Sequence, residues 1–216
     1  MKLRITSTKV PGPDRSATTV VSFTVSAPLL ELEIKTLIPG STRTDFERSG
    51  AHVAIRGGSV AGQWPGLRAE QLAHEVYFPV CAPHLVSGAN AIRTPADLAN
   101  RTLLVVTTTP EGWNEWLTAA RGAGYDVGGV DLRNSLRFDT IHSSMLAAIS
   151  GVGVDLGRSP LVDQAIAQGQ LVSPFNLKAS STLSYWMVYP EATLEMPAFR
   201  HFRQWLLQEL EAVDAK

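Results

Sequence analysis

The sequence has a single cysteine, Cys81, among its 216 residues. One thiol cannot form an internal disulfide or a cysteine-based metal cluster, and such a chain fits a reducing cytoplasm. The first eight residues alternate apolar and polar positions, unlike the continuous apolar core of a signal peptide. No apolar run approaches the roughly 18 residues that a membrane span needs. We therefore expect a cytoplasmic protein without a membrane contact.

Neither sign of charge is in excess. Lys and Arg number 19 against 20 Asp and Glu, which leaves a net charge of -1. Because DNA-binding surfaces are basic, this chain alone is expected to bind DNA poorly. The composition, 44% hydrophobic and 18% charged, is that of a globular protein with a sizeable core, enough for one domain or two small lobes.

Sequence motifs of catalytic and metal sites are also missing. There is no nucleophile elbow, no phosphate-binding loop of the Walker type and no dinucleotide-binding glycine pattern after a strand. The five histidines have no metal-site spacing. We predict no catalytic residue, no cofactor and no metal, while an enzyme that uses carboxylates, such as a hydrolase or isomerase, stays a rival hypothesis.

Strand and helix patterns alternate along the chain. Such alternation predicts an α/β fold with right-handed crossovers and a mostly parallel sheet covered by helices. The predicted strands are 3–6, 29–37, 52–56 (stopped by Gly57 and Gly58), 75–81, 103–106, 131–138, 152–156 and 183–189. The predicted helices are 16–26, 42–49, one opening at Thr94 with Thr94 as its cap, 111–121, 143–149 with Gly151 as its stop, and 198–212.

Several short segments occur in a characteristic order. They are DFERSG at 45–50, VAIRGG at 53–58, WPGLR at 64–68, VCAP at 80–83, TPADL at 94–98, GVGV at 151–154, LGRSPLV at 156–162 and PF at 174–175. Together they resemble the regulatory domain of LysR-type transcriptional regulators, in particular the subgroup of the glycine-cleavage activator and the β-lactamase regulators. The resemblance extends from about residue 3 to residue 210.

This resemblance implies a type 2 periplasmic-binding-protein fold. Two α/β lobes, 1–76 with 190–216 and 77–189, would be joined by two crossing strands around a ligand cleft. The implied function is to sense a small-molecule effector and thereby control DNA binding and transcription, without catalysis. The family also implies a homodimer through these domains, with DNA bound only by a winged helix-turn-helix domain that this sequence lacks. A stand-alone solute-binding protein of the same fold is the alternative, and the effector, an anion among the candidates, stays open.

Ligands of doubly wound sheets bind where strands end and helices begin. Four loops rich in hydroxyl groups stand at such places. They are Ser7-Thr8-Lys9, Gly40-Ser41-Thr42, Thr107-Thr108-Thr109 and Phe138-Asp139-Thr140. The resemblance supports Ser7, Thr8, Thr107, Thr108 and Phe138 as ligand contacts, and adds Tyr185.

Charged residues could contribute to the same site. Lys9 or Arg56 could pair with an anionic effector, and Asp139 could recognise an amine or a hydroxyl. Simpler structural interpretations stay open. Asp139 and the hydroxyl groups could cap helices, and Arg56 could support a glycine turn. Asp155 stands where relatives usually carry a small or apolar residue, and a salt bridge to a nearby arginine is its simplest use. Trp113 and Trp116, one helical turn apart, are predicted core residues.

Overall fold

The computed structural model describes residues 2–8, 31–36, 46, 50–59, 64–109 and 111–214. These residues contain eight strands and four α-helices. The strands are β1 (Lys2–Thr8), β2 (Glu31–Thr36), β3 (Val53–Gly58), β4 (Arg68–Val80), β5 (Leu103–Val106), β6 (Leu136–Phe138), β7 (Val154–Ser159) and β8 (Ala179–Tyr189). The helices are α1 (Glu111–Gly122), α2 (Ile141–Ile149), α3 (Asp163–Ala167) and α4 (Pro197–Asp214), with short three-ten helices at Pro83–Val86, Pro95–Asn100 and Glu191–Glu195.

The chain divides into two compact units. Unit 1 comprises the described residues up to His74 and those from Thr182 onward, and unit 2 comprises Glu75–Ser181. Two strands, β4 and β8, run from one unit into the other. An α/β chain with two crossing strands is the architecture that the sequence predicts.

The sheet of unit 1 has the strand order β2-β1-β3-β8. β1 pairs in parallel with both β2 and β3, and β3 pairs antiparallel with β8. Successive side chains of β3 face opposite sides of the sheet, so Val53 and Ile55 share one face. That face packs against Phe199 and Phe202 of α4, whose apolar residues recur at helical spacing.

The sheet of unit 2 has the order β4-β7-β5-β6. β5 pairs in parallel with β6 and β7, while β4 and β7 are antiparallel. Trp113 and Trp116 of α1 are buried on one face, as the sequence predicts. Their indole N–H groups donate to the carbonyls of Leu104 and Leu177 at 2.8 and 3.1 Å, so both rings are packed and their polar atoms are paired.

Gly151 ends α2 in the left-handed conformation, with φ of 78°. Its N–H donates to the carbonyl of Ala148, and the N–H of Val152 donates to that of Ala147. These two bonds form a Schellman cap, in which glycine avoids the strain that a β-carbon would impose. The predicted helix stop before β7 is therefore confirmed.

Gly153 lies where β7 meets the segment before β5. A β-carbon at this position would lie 2.2 Å from the carbonyl oxygen of Thr102, which also accepts a hydrogen bond from the N–H of Val154 at 2.9 Å. Because backbone must move, we expect Gly153→Ala to lower the free energy of unfolding by about 1–3 kcal/mol in urea titrations. Gly128→Ala is the matched control, since its β-carbon would make an ordinary 3.5 Å contact. Equal losses in the two variants would contradict this account.

Several predicted element boundaries were wrong. Gly57 and Gly58 do not stop β3 but belong to it, because both pair with residues of β8 more than 100 positions away. The strand predicted to start at 75 begins at Arg68, and the one predicted from 131 covers only Leu136–Phe138. The helix opening at Thr94 is a three-ten helix with the predicted Thr94 cap. The predicted helix 16–26 lies outside the described residues, as does 42–49 apart from Phe46.

Candidate ligand-binding site

The carboxyl ends of β5 and β6 bring two predicted ligand loops together in unit 2. The N–H of Thr107 donates to the carbonyl oxygen of Phe138 at 2.8 Å, and its hydroxyl Oγ1 approaches the same oxygen at 3.2 Å. Thr107 is exposed, whereas Thr108 and Phe138 are half-buried. The Thr107 hydroxyl donates to Phe138 and keeps lone pairs that can accept from a ligand.

Helix α2 begins at this same edge. Thr140 caps it: Oγ1 accepts from the N–H of Ser143 at 3.1 Å, and its hydroxyl lies 2.7 Å from that of Ser143. The interpretation of Asp139 as the cap was therefore wrong, because the chain enters the helix one residue later. Asp139 is exposed beside the helix N-terminus, where first-turn amides favour an anion or a hydrogen-bond acceptor.

In unit 1 the predicted residues lie at the carboxyl ends of β1 and β3. Ser7 and Thr8 are the last two residues of β1, and in the β1–β3 register Thr8 pairs with Arg56. Tyr185 of β8, which is half-buried, pairs with Gly57 next to Arg56. The backbone thus places these four predicted residues on adjacent strands. Lys9, Ser41 and Thr42 lie outside the described residues.

Arg56 is a buried cation with a relative exposure of 6%. Within the part of the chain that the structure describes, neither Nε nor Nη2 has a hydrogen-bond partner. Burial lowers the pKa of its guanidinium from the ordinary value, because removal from water disfavours the charged form. An uncompensated buried charge is costly, and this cost distinguishes Arg56 from an ordinary structural arginine.

A second buried arginine, Arg158 of β7, has a countercharge, and among the described residues only its Nε lacks a hydrogen-bond partner. Its Nη1 lies 3.3 Å from Oε2 of Glu75, and its Nη2 donates to the hydroxyl and carbonyl oxygens of Thr109. Glu75 also accepts from the hydroxyl of Ser181 at 3.1 Å. The guanidinium carbon stands 4.9 Å from the ring centroid of Tyr77, which is cation–π geometry. This cluster fixes the loop after β5 to the strands β4 and β8.

The sequence did not reveal this cluster, because Glu75 and Arg158 are 83 positions apart. The antiparallel register of β4 and β7 brings them together by pairing Tyr77 with Arg158. A charged residue opening an otherwise apolar stretch, as Glu75 does, is the only local signal.

Asp155 does not form the predicted salt bridge. Asp155 and Arg158 are three positions apart on one strand, so their side chains face opposite sides of the sheet. The carboxylate, 2% exposed, instead accepts a 2.6 Å hydrogen bond from the hydroxyl of Ser144 on α2. Burial raises the pKa of Asp155 to about 6, although this hydrogen bond, the charge of Arg158 and the Leu156 N–H oppose the rise.

An open surface groove of about 540 Å³ runs along α1. Its lining residues are Glu111, Asn114, Glu115, Thr118, Ala119, Ala179 and Ser180. Burial raises the pKa of the Glu115 carboxyl, and the charge of Glu111 raises it further. None of the ligand residues predicted from sequence lines this groove, whose acidic wall suits a cation rather than an anion.

Comparison with curated proteins finds transcriptional regulators. The glycine cleavage system transcriptional activator of Escherichia coli is 35% identical over 157 residues, which cover 72% of this chain and 49% of that protein. The transcriptional activator AmpR of Citrobacter freundii is 30% identical over 184 residues, covering 85% of this chain and 58% of that protein. The chain thus spans about half the length of the curated relatives it matches.

Solved structures give the same result. The effector domain of AmpR from Pseudomonas aeruginosa has a TM-score of 0.68 and 29% identity, and the match covers 100% of this chain and 98% of that one. These similarities confirm the predicted fold and favour a regulator's domain over a stand-alone solute-binding protein. The family model of the LysR substrate binding domain matches residues 1–211. The chain belongs to the family of LysR substrate-binding domains.

Proposed function

We propose that this chain is the effector-binding domain of a transcriptional regulator and that it recognises a small molecule at the carboxyl ends of its parallel strands. The observation that carries the proposal is the junction of the β5 and β6 loops, where Thr107 and Thr108 stand beside Phe138 and the N-terminus of α2. Hydroxyls, amides and a helix N-terminus together can orient a polar ligand. Ser7, Thr8, Arg56 and Tyr185 are a second proposed group of contacts.

We infer recognition without catalysis. The side chain of Cys81, the one thiol of the sequence, is buried, and burial raises its pKa to about 11, which disfavours the nucleophilic thiolate. Among the described residues, no three His, Cys, Asp or Glu side chains are grouped so as to hold a metal ion.

None of the described helices is both long enough and apolar enough to cross a membrane.

We further propose how the domain acts in a whole regulator. Lobes I and II, predicted as 1–76 with 190–216 and 77–189, would correspond to units 1 and 2. The effector would favour one of two arrangements of the protein by binding it more tightly. The change of arrangement would alter the activity of a separate DNA-binding domain in the cytoplasm.

We also propose that the protein forms a homodimer through these domains. Sedimentation velocity would then show a coefficient that falls on dilution, and a monomer at every concentration would reject the dimer.

The test of the proposed contacts is Thr107→Val. A thermal-shift screen with small organic acids, amino acids and peptidoglycan fragments first identifies a ligand, since one present at about 100 times its Kd stabilises the folded state by about 2.7 kcal/mol. Removing the hydroxyl is expected to weaken that ligand roughly 2–10-fold in calorimetric titration, the cost of one hydrogen bond.

Thr102→Val is the matched control. Thr102 is exposed and stands at the opposite, amino end of β5, so the same substitution there is expected to leave the Kd unchanged. Equal weakening in both variants, or none in Thr107→Val, would move the site away from this edge.

A further inference from the structure

Arg56 combines three properties that seldom occur together in one side chain. It is more than nine-tenths buried, it is charged, and its Nε and Nη2 atoms have no hydrogen-bond acceptor among the described residues. The four ion pairs seen between described residues involve other arginines. Buried charges are normally paired, because an unpaired one loses its hydration without compensation.

Arg56 has apolar neighbours on its face of β3 and β8. Its register partner on β8 is Trp186, which therefore shares its face of the sheet and contacts Trp64 with ring centroids 6.1 Å apart. The indole N–H of Trp186 already donates to the carbonyl of Gly58 at 2.9 Å. Ala54, two residues before Arg56, and its register partner Val188 are fully buried on the same face. These neighbours offer packing to a ligand but no countercharge.

Arg56 lies at a place in the sheet where α/β proteins commonly bind ligands. It lies near the carboxyl end of β3 and pairs in register with Thr8, the last residue of the parallel strand β1. This is the edge of a parallel sheet at which ligands bind. A guanidinium at such an edge presents a planar pair of donors that matches a carboxylate in two parallel hydrogen bonds.

We propose that Arg56 is the anion-binding residue of a site in unit 1 and that the ligand it takes is an organic monocarboxylate with an apolar part. One buried cation compensates one negative charge, whereas a dianion such as phosphate would leave a charge uncompensated. The tryptophan pair supplies the apolar wall. The inference rests on the proposed function in that it gives the effector a chemical class.

The first test needs no ligand. If the guanidinium lacks a partner, Arg56→Met removes an uncompensated charge and fills the space with an apolar chain, so the ligand-free variant is expected to melt on the order of 2–4 °C above wild type. A structural arginine would give the opposite sign. A melting temperature equal to or below that of wild type would overturn the site.

The second test uses sodium acetate as the probe, at constant ionic strength against sodium chloride. At about ten times its Kd, acetate should raise the melting temperature of wild type by roughly 3–6 °C. Arg56→Met should lose this rise, and the exposed Arg121→Met should keep it. An acetate response that survives Arg56→Met would overturn the site, and a larger rise with inorganic phosphate would overturn the carboxylate assignment.

We expect the acetate response not to depend on the residues of unit 2, because Arg56 and Trp186 both belong to unit 1. Thr107→Val is therefore expected to retain it, even where that variant weakens a ligand from the screen. A failure of the contacts proposed at the β5 and β6 loops is thus distinguishable from a failure of the Arg56 site. Loss of the acetate response in Thr107→Val would contradict a separate anion site in unit 1.

Discussion

Arg158→Met is expected to lower the free energy of unfolding by about 3–5 kcal/mol, because it leaves the carboxylate of Glu75 buried without its countercharge. Both partners are almost completely buried, with side-chain exposures of 3% for Arg158 and 4% for Glu75. The substitution also removes the hydrogen bonds from Arg158 to Thr109 and the cation–π contact with Tyr77. Urea titration followed by tryptophan fluorescence measures the change.

A double-mutant cycle separates the ion pair from the packing. Glu75→Gln keeps an oxygen that can accept from Ser181 but removes the charge. Combined with Arg158→Met, it should restore part of the loss, so that the double variant is more stable than Arg158→Met alone. The exposed pair of Arg133 and Asp131 is the control, and Arg133→Met should leave the free energy of unfolding almost unchanged, because solvent screens an exposed ion pair. A double variant less stable than Arg158→Met would show that the charge is not the cause.

Asp155→Asn is expected to make the protein more stable at neutral pH. The folded pKa of Asp155, about 6, is raised above the ordinary 3.8 by burial, so between pH 4 and 6 the folded state binds a proton that the unfolded state has released. The free energy of unfolding therefore falls by about 3 kcal/mol as pH rises through this interval. Above pH 6 the contribution of Asp155 to the free energy of unfolding is constant. The asparagine oxygen can still accept from Ser144.

The measurement is the difference in free energy of unfolding between Asp155→Asn and wild type, from urea titrations at pH 4 to 8. The difference should grow in favour of the variant up to about pH 6 and then level off. Asp97→Asn is a control of opposite sign, because the N–H groups of Arg93 and Thr94 lower the pKa of Asp97, so its stabilisation is lost as pH falls. A pH-independent difference for Asp155→Asn would contradict the burial argument.

Two buried arginines thus have opposite expected behaviour. Arg158 has a countercharge, so its removal should destabilise the domain, whereas Arg56 has no acceptor among the described residues, so its removal should stabilise the ligand-free domain. Burial alone does not separate them, since both are less than one-tenth exposed. The presence of a countercharge distinguishes Arg158 from Arg56, and a countercharge is visible only in the folded chain.

Local periodicity predicted the features that depend on near neighbours. The three-residue spacing of Trp113 and Trp116 predicted a buried helix face, and the apolar positions between Phe199 and Leu206 predicted a helix against a core. Gly151 was predicted as a helix stop because glycine is common just after a helix, and its left-handed conformation at the end of α2 confirms this. Each of these depends on a few consecutive residues.

Features that depend on pairing across the sheet were missed. Glycine has a low strand propensity, yet hydrogen bonding to β8 holds Gly57 and Gly58 in β3. The Arg158–Glu75 pair follows from the β4–β7 register, which no local pattern specifies. Asp155 could have been predicted better, since a period of two excludes contact with Arg158 on the same strand face.

Hydrogen exchange of the domain with and without a carboxylate hit from the screen tests the central claim most directly, because it maps protection without assuming the site. Slower exchange is predicted at the carboxyl edges of the parallel strands: around Arg56 at the end of β3 for a carboxylate that binds in unit 1, and at 107–109 and 138–143 for a ligand that binds in unit 2. Protection confined to the groove along α1, from Glu111 to Ala119, with those edges unchanged, would contradict the account.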